Sequence, residues 1–296
     1  MARTFVKTAF PYPLVWDEGN AEIRIGANLY KTHFKRVYRQ EGDVSVIPVV
    51  TEAQNVEITN DRLFRAAHTS LEILFPLFVS EQSQVLEITR SVINRLIEVY
   101  RFTMNEFFLE PIPENEMWPS TILIAQDDGT FAPVSLFEHV FTLGGSRPAR
   151  TAPIPDLARE YFCSGAELPI HRMLFLNAQR EYIFENYRLA IVEAETAIES
   201  LILNAISQYY LDQGLSEKEV EGKLECGLKN LIKDHLPKCC GESFVGTGEH
   251  SAWKTKLYNL RNKIVHQGAS VGMQETDEAV QTAEQVLKWL EKRIPK

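Results

Sequence analysis

Between Val85 and Tyr100, apolar residues recur at helical spacing. Val85, Ile88, Val92, Leu96 and Val99 form one stripe, and Leu86, Ile93, Ile97 and Tyr100 form a second. Two stripes predict a helix, over about residues 83–107, that is buried on more than one side. Short β-rich runs flank it: Val44-Ser45-Val46-Ile47 before, and Thr121 to Gln126 and Phe131 to Phe137 after. The last two enclose Asp127-Asp128-Gly129-Thr130, whose turn chemistry predicts a hairpin. The first half therefore reads as an α+β domain.

The second half carries only the helical period. From about Met173 to Leu211 there is neither Gly nor Pro, and Ile183, Tyr187, Ala190, Ala194, Ala197, Leu201 and Ala205 recur every three or four residues. That predicts one long amphipathic helix ended by Gly214. Ser216 is placed to cap the next helix, which runs to about His235 before Pro237. After the Gly-rich loop 241–248, Ser251 to Val265 predicts a third helix, with Trp253, Leu257, Leu260 and Ile264 inward and Gly268 closing it. Thr276 or Asp277 would cap the last, whose core positions are Val280, Ala283, Leu287 and Leu290. The expectation is an all-α bundle of about four to five helices.

Proline marks the division, since only Pro237 and Pro295 follow Pro169. Gly144-Gly145-Ser146-Arg147-Pro148, Pro153 and Pro155 are linker chemistry. The predicted organisation is an α+β domain of unassigned role over 1–145, a linker over 146–156 and the bundle over 157–296. Asp156 to Phe162 would be a short helix leading into the bundle.

Apolar residues make up 45% and charged residues 24%, so each half can bury a core. The net charge of −9 excludes a whole-surface basic field that gathers nucleic acid, leaving only a local patch. Cys163, Cys226, Cys239 and Cys240 form no C-x-x-C pair, and they read as free thiols of a reducing compartment. With no signal-peptide stretch and no run near the roughly 20 apolar residues of a membrane span, a cytoplasmic protein without a membrane partner is expected. No residue set has zinc-ligand spacing, so neither metal nor cofactor is expected.

The informative stretch is Leu257-Tyr258-Asn259-Leu260-Arg261-Asn262-Lys263-Ile264-Val265-His266-Gln267-Gly268. From His250 to Gln274 there is no Asp or Glu, whereas Lys254, Lys256, Arg261 and Lys263 make a positive island suited to phosphates. On an ideal helix Asn262 and His266 lie within about 40° of each other, so the amide could fix the imidazole tautomer. Arg261 and His266 diverge by about 140°. They meet only if the helix loosens near His266 or if two chains share a two-fold axis.

This stretch resembles the HEPN family, helical-bundle proteins whose signature is Arg, a polar residue, about three more residues and then His near the end of the penultimate helix. Here these are Arg261, Asn262 and His266, and the resemblance covers roughly residues 173–296. It implies a metal-independent endoribonuclease, of the toxin or antiviral-defence kind, working at a homodimer cleft formed by the bundle. Arg261, Asn262 and His266 would be catalytic, and Lys254, Lys256 and Lys263 would bind RNA phosphates. An imidazole, ordinarily titrating near about 6.5, suits proton transfer. Arg261 would stabilise phosphoryl charge and Asn262 would orient His266 or the phosphate, while the N-terminal domain would sense a trigger, bind a regulatory protein partner or restrain the nuclease. The alternative is a non-catalytic HEPN-like module for dimerisation, nucleotide binding or protein binding. The plainest account of Arg261, Lys263 and His266 is cationic helix termination before Gly268.

Overall fold

The computed structural model describes residues 3–10, 14–16, 18–38, 46–48, 55–57, 67–113, 120–125, 131–137 and 153–295. The chain divides into two compact units, Met1–Glu167 and Leu168–Lys296. The protein is mixed α+β, with an antiparallel sheet in the first unit and most of its helices in the second. Among the described residues, no helix is long and apolar enough to cross a membrane.

The strands of the first unit are β1 (Arg3–Phe10), β2 (Gly19–Ile25), β3 (Asn28–Tyr38), β4 (Val46–Pro48), β5 (Asn55–Glu57), β6 (Ala67–Leu74), β7 (Ser120–Ala125) and β8 (Phe131–Phe137). Six pair antiparallel in the order β2-β3-β6-β1-β7-β8, and β4 pairs with β5 apart from them. Side chains alternate as a half-buried sheet requires: Val6, Ile23, Phe34, Leu71 and Ile73 point inward, whereas Lys7, Glu22 and Lys31 do not. A two-residue loop joins β2 to β3, with Ile25 opposite Asn28 and Gly26 at φ 56°, where an L side chain is strained.

The predicted hairpin is present as β7 and β8, while its turn residues 127–130 lie outside the described residues. So do Val44, Ser45 and the linker residues 144–152. The predicted helix is α1 (Gln82–Met104), buried along both of its stripes. Helix α2 (Asp156–Ser164) belongs to the first unit, not to the bundle as its position in the sequence predicted. Its Phe162 meets Trp16 edge-on, and Trp16 also packs against Tyr100 of α1 and Phe34 of β3. Cys163 and Arg159 of α2 donate to the Glu22 and Asn20 carbonyls of the edge strand β2. An open edge invites pairing with another chain, and α2 covers this one.

In the second unit the described residues form helices and their connections only. The expected single helix over Met173 to Leu211 is two: α3 (Ile170–Ile183) and α4 (Tyr187–Asp212). The chain reverses at Phe184-Glu185-Asn186 without Gly or Pro. Glu185 takes a left-handed φ of 63°, and Asn186 donates to the buried Glu181 carboxylate at 2.7 Å. Helix α5 (Glu217–Leu224) begins at Ser216 as predicted, with Glu219 accepting from both the Ser216 amide and its hydroxyl.

The next segment runs through α6 (Leu228–Asn230), a wide π turn (Leu231–His235) and α7 (Leu236–Cys240). Pro237 sits at the start of α7 rather than ending the helix, because the π turn opens the backbone where the proline ring would clash. Another continuous helix comprises α8 (Gly248–Ala252), a π turn (Trp253–Tyr258) and α9 (Asn259–Gln267). Gly268 closes it with φ 65°, as predicted. Helix α10 (Met273–Glu291) starts three residues before the predicted cap: Glu275 reaches back to the Gly272 amide, and the Thr276 hydroxyl is spent on the Gly272 carbonyl. The core gathers Ile191, Ile198, Leu257, Ala283, Leu287 and their neighbours. His171 and Arg172 of α3 both grip Glu291 at the end of α10.

Candidate functional site

The signature residues sit on α9, held inward by Ile264 and, through the π turn before it, by Trp253 and Leu257. On the outer side lies an open groove of about 470 Å³. Thr255, Asn259, Asn262, Lys263, His266 and Gln267 line it. All six belong to one helical stretch, so the groove is a single wall open on its other side.

Asn262 and His266 share this groove, as their spacing predicted. His266 is exposed, and its ring has no hydrogen-bond partner among the described residues. The expected amide–imidazole bond is not formed; the Asn262 side-chain oxygen accepts from Arg261 Nη1 at 3.2 Å. Asn262 thus joins the two ends of the signature: its oxygen holds the guanidinium and its side chain lines the groove beside the imidazole.

Arg261 is absent from the groove lining. Helix α9 stays regular up to its cap, so the separation of about 140° between Arg261 and His266 persists within one chain. Arg261 acts instead on the α4 side, where its charge favours ionisation of the Glu195 carboxyl. Its Nε is buried without a hydrogen-bond partner.

Glu195 is the residue that the sequence reading missed. Charged residues on a helix usually face water, and on that ground Glu193, Glu195 and Glu199 read as a solvated face. Glu195 is 0% exposed. Trp253 donates its indole N–H to both carboxyl oxygens, at 2.8 and 3.1 Å. Burial pushes the Glu195 carboxyl up to about 8, against the opposing pull of the Trp253 bond and the Arg261 charge. A clue was present, since Ile191, Glu195, Ile198 and Ile202 fall on one core-facing phase. Tyr258 packs against Trp253 with ring centroids 4.9 Å apart, as a core aromatic does.

The three lysines differ. Lys263 lines the groove, and Lys254 is exposed outside it. Lys256 pairs with Glu278 of α10 at 3.3 Å, so a neighbouring helix trims the positive island that its own segment predicted. Among the described residues, no group of three or more His, Cys, Asp or Glu side chains is placed to hold a metal ion.

No family model, curated protein or solved structure matches the chain.

Proposed function

We propose that the helical unit is a HEPN-type, metal-independent endoribonuclease whose cleft is completed by a second copy of the chain. The observation that carries this reading is the Arg261–Asn262–His266 connection. A half-buried guanidinium is bonded to an amide that lines the same groove as an unengaged imidazole. Because one chain supplies only one wall, a two-fold partner is what brings an Arg261 and a His266 to one phosphodiester.

The chemistry is transfer of a phosphoryl bond within the RNA. The ribose 2′-oxygen attacks the adjacent phosphorus, the bond to the 5′-oxygen breaks, and a cyclic phosphate remains on the 3′ side. The proton of the 2′-hydroxyl ends on a base and the leaving oxygen gains one; His266 serves one of these transfers. Arg261 stabilises charge on the phosphoryl oxygens, and Lys263 holds a flanking phosphate. The resemblance extends this to an effector of toxin or antiviral-defence kind, with the first unit binding a regulatory partner.

The Lys256–Glu278 pair favours a second reading, a non-catalytic module for a nucleotide or a protein, because it weakens the basic field around the groove. RNA cleavage by the full chain in EDTA separates the two. The ribonuclease reading expects cleavage that survives EDTA and disappears in His266→Ala. Equal cleavage by both proteins removes His266 from the chemistry.

A further inference from the structure

Where α5 gives way to α6, the exposed Cys226 stands beside His235 of the π turn, its sulfur 3.9 Å from the imidazole Nε2. That is a loose contact, as nucleophile–base pairs often show before a reactant binds. The other ring nitrogen, Nδ1, lies 2.7 Å from the hydroxyl of Tyr210 on α4. Tyr210 is buried, and its oxygen also accepts from Lys238 Nζ at 3.4 Å. Asn230 donates to the Cys226 carbonyl at 2.8 Å and so fixes the turn that carries the thiol. Cysteine, histidine, tyrosine and lysine thus form one connected row, drawn from four successive parts of the unit.

This is the order of an activated nucleophile: a thiol, a base in reach of it, and a third group that orients the base. The Tyr210 oxygen can accept from Nδ1–H, which leaves the Nε2 lone pair facing the thiol. Burial and the charges of Lys238 and Lys223 hold the His235 imidazole below its ordinary range, against the opposing pull of Asp234. The ring is therefore neutral near neutral pH and able to take a proton. Lys223 lies over the Tyr210 ring, 5.3 Å from its centroid. With Lys238 it gives the site a positive rim, which favours a thiolate and draws an anionic reactant. Cys239 of the same unit is the contrast, since it is buried and its burial pushes the thiol up to about 11.

We infer that Cys226 is a nucleophilic thiol, activated by His235, that exchanges with anionic low-molecular-weight disulfides. Its sulfur attacks one sulfur of the disulfide while the thiol proton passes to His235 Nε2. The old S–S bond breaks, a mixed disulfide forms on Cys226, and the departing thiolate takes the proton back from the imidazolium. The disulfide is the oxidant: Cys226 is oxidised and the departing sulfur is reduced. Tyr210 is a positioning residue, acting through His235. The inference draws on neither the α9 groove nor RNA.

The test treats the full-length protein with oxidised glutathione and follows each cysteine by peptide mass spectrometry. Cys163, also exposed but with its thiol engaged by the Glu22 carbonyl, is the internal reference. At about pH 7, Cys226 should react about tenfold faster than Cys163. His235→Asn should lower the Cys226 rate to that of Cys163, and Tyr210→Phe should lower it in part. Both deficits should shrink by about pH 9, where the thiol ionises without a base. With cystamine, a cationic disulfide, the advantage over Cys163 should be smaller. Buried Cys239 stays unmodified only while the unit is folded, so its protection certifies each variant. Should His235→Asn expose Cys239, Tyr210→Phe carries the test. Equal rates at Cys226 and Cys163, a Cys226 rate unchanged in the folded variants, a deficit that persists at the higher pH, or an undiminished advantage with cystamine overturns the inference.

Discussion

Inside the helical unit, the Trp253 indole N–H bridges both oxygens of the Glu195 carboxyl, tying α4 to the π turn that leads into α9. This bond ties the signature segment to the core. A buried carboxyl is tolerated when its charge is suppressed and its oxygens are bonded, and Glu195 meets both conditions. It also lies close enough to Arg261 for the two to feel each other's charge, so the state of Glu195 bears on the guanidinium that the proposed chemistry needs.

The first prediction concerns pH. The Glu195 carboxyl titrates near 8 in the folded protein, against an ordinary value of 4.5. The folded chain therefore keeps a proton that the unfolded chain releases, and stability falls as pH rises between these values. Glu195→Gln imitates the protonated carboxyl and retains an acceptor for Trp253. Thermal melts should show little difference from wild type at about pH 5 and a higher Tm for the variant at about pH 8. A variant destabilised equally at both pH values would show that the carboxyl is ionised when folded.

A second prediction compares two carboxylates of α10, Glu291 and Glu284. Glu291 joins His171 at 3.1 Å and also Arg172, with side chains 13 to 37% exposed, whereas Lys288 and Glu284 pair at 2.6 Å with 65% and 45% exposed. Exposed pairs contribute little, and partly buried ones joining distant segments contribute more. In urea denaturation, Glu291→Ala should cost about 1–2 kcal/mol and Lys288→Ala less than about 0.5 kcal/mol. Similar losses would mean that the α3–α10 clasp does not hold the unit together.

The lysines give a third. Lys263 lines the groove, while Lys256 is engaged by Glu278. Lys263→Ala should weaken RNA binding across all sequences and reduce the dependence of log affinity on log salt by about one. Lys256→Ala should change both by much less. Reversal of that order would relocate the phosphate track away from the groove.

Helix ends of the second unit were legible in the sequence, because Gly214, Ser216 and Gly268 perform the local roles that their residue types favour. The reversal at Glu185 was not. It uses a left-handed glutamate steadied by the Asn186–Glu181 bond, a tertiary device that leaves the helical period nearly unbroken. Strands β1, β3 and β6 escaped notice because inward threonines such as Thr4, Thr8, Thr32 and Thr69 blur the alternation of apolar and polar positions. At the site, helical geometry alone placed Asn262 beside His266 and Arg261 apart from it. It could not reveal that Arg261 would claim the Asn262 oxygen or that Glu278 would claim Lys256, since only the folded chain decides those competitions.

The central claim is that a cleft takes its residues from two chains. Its most direct measurement is RNA cleavage by a purified mixed dimer, co-expressed with one chain carrying Arg261→Ala and the other His266→Ala. If each cleft takes its guanidinium from one chain and its imidazole from the other, the mixed dimer keeps one intact cleft and should cleave at about half the wild-type rate, while each homodimeric variant is inactive. A mixed dimer as inactive as its parents, beside an active wild type, would contradict the shared cleft.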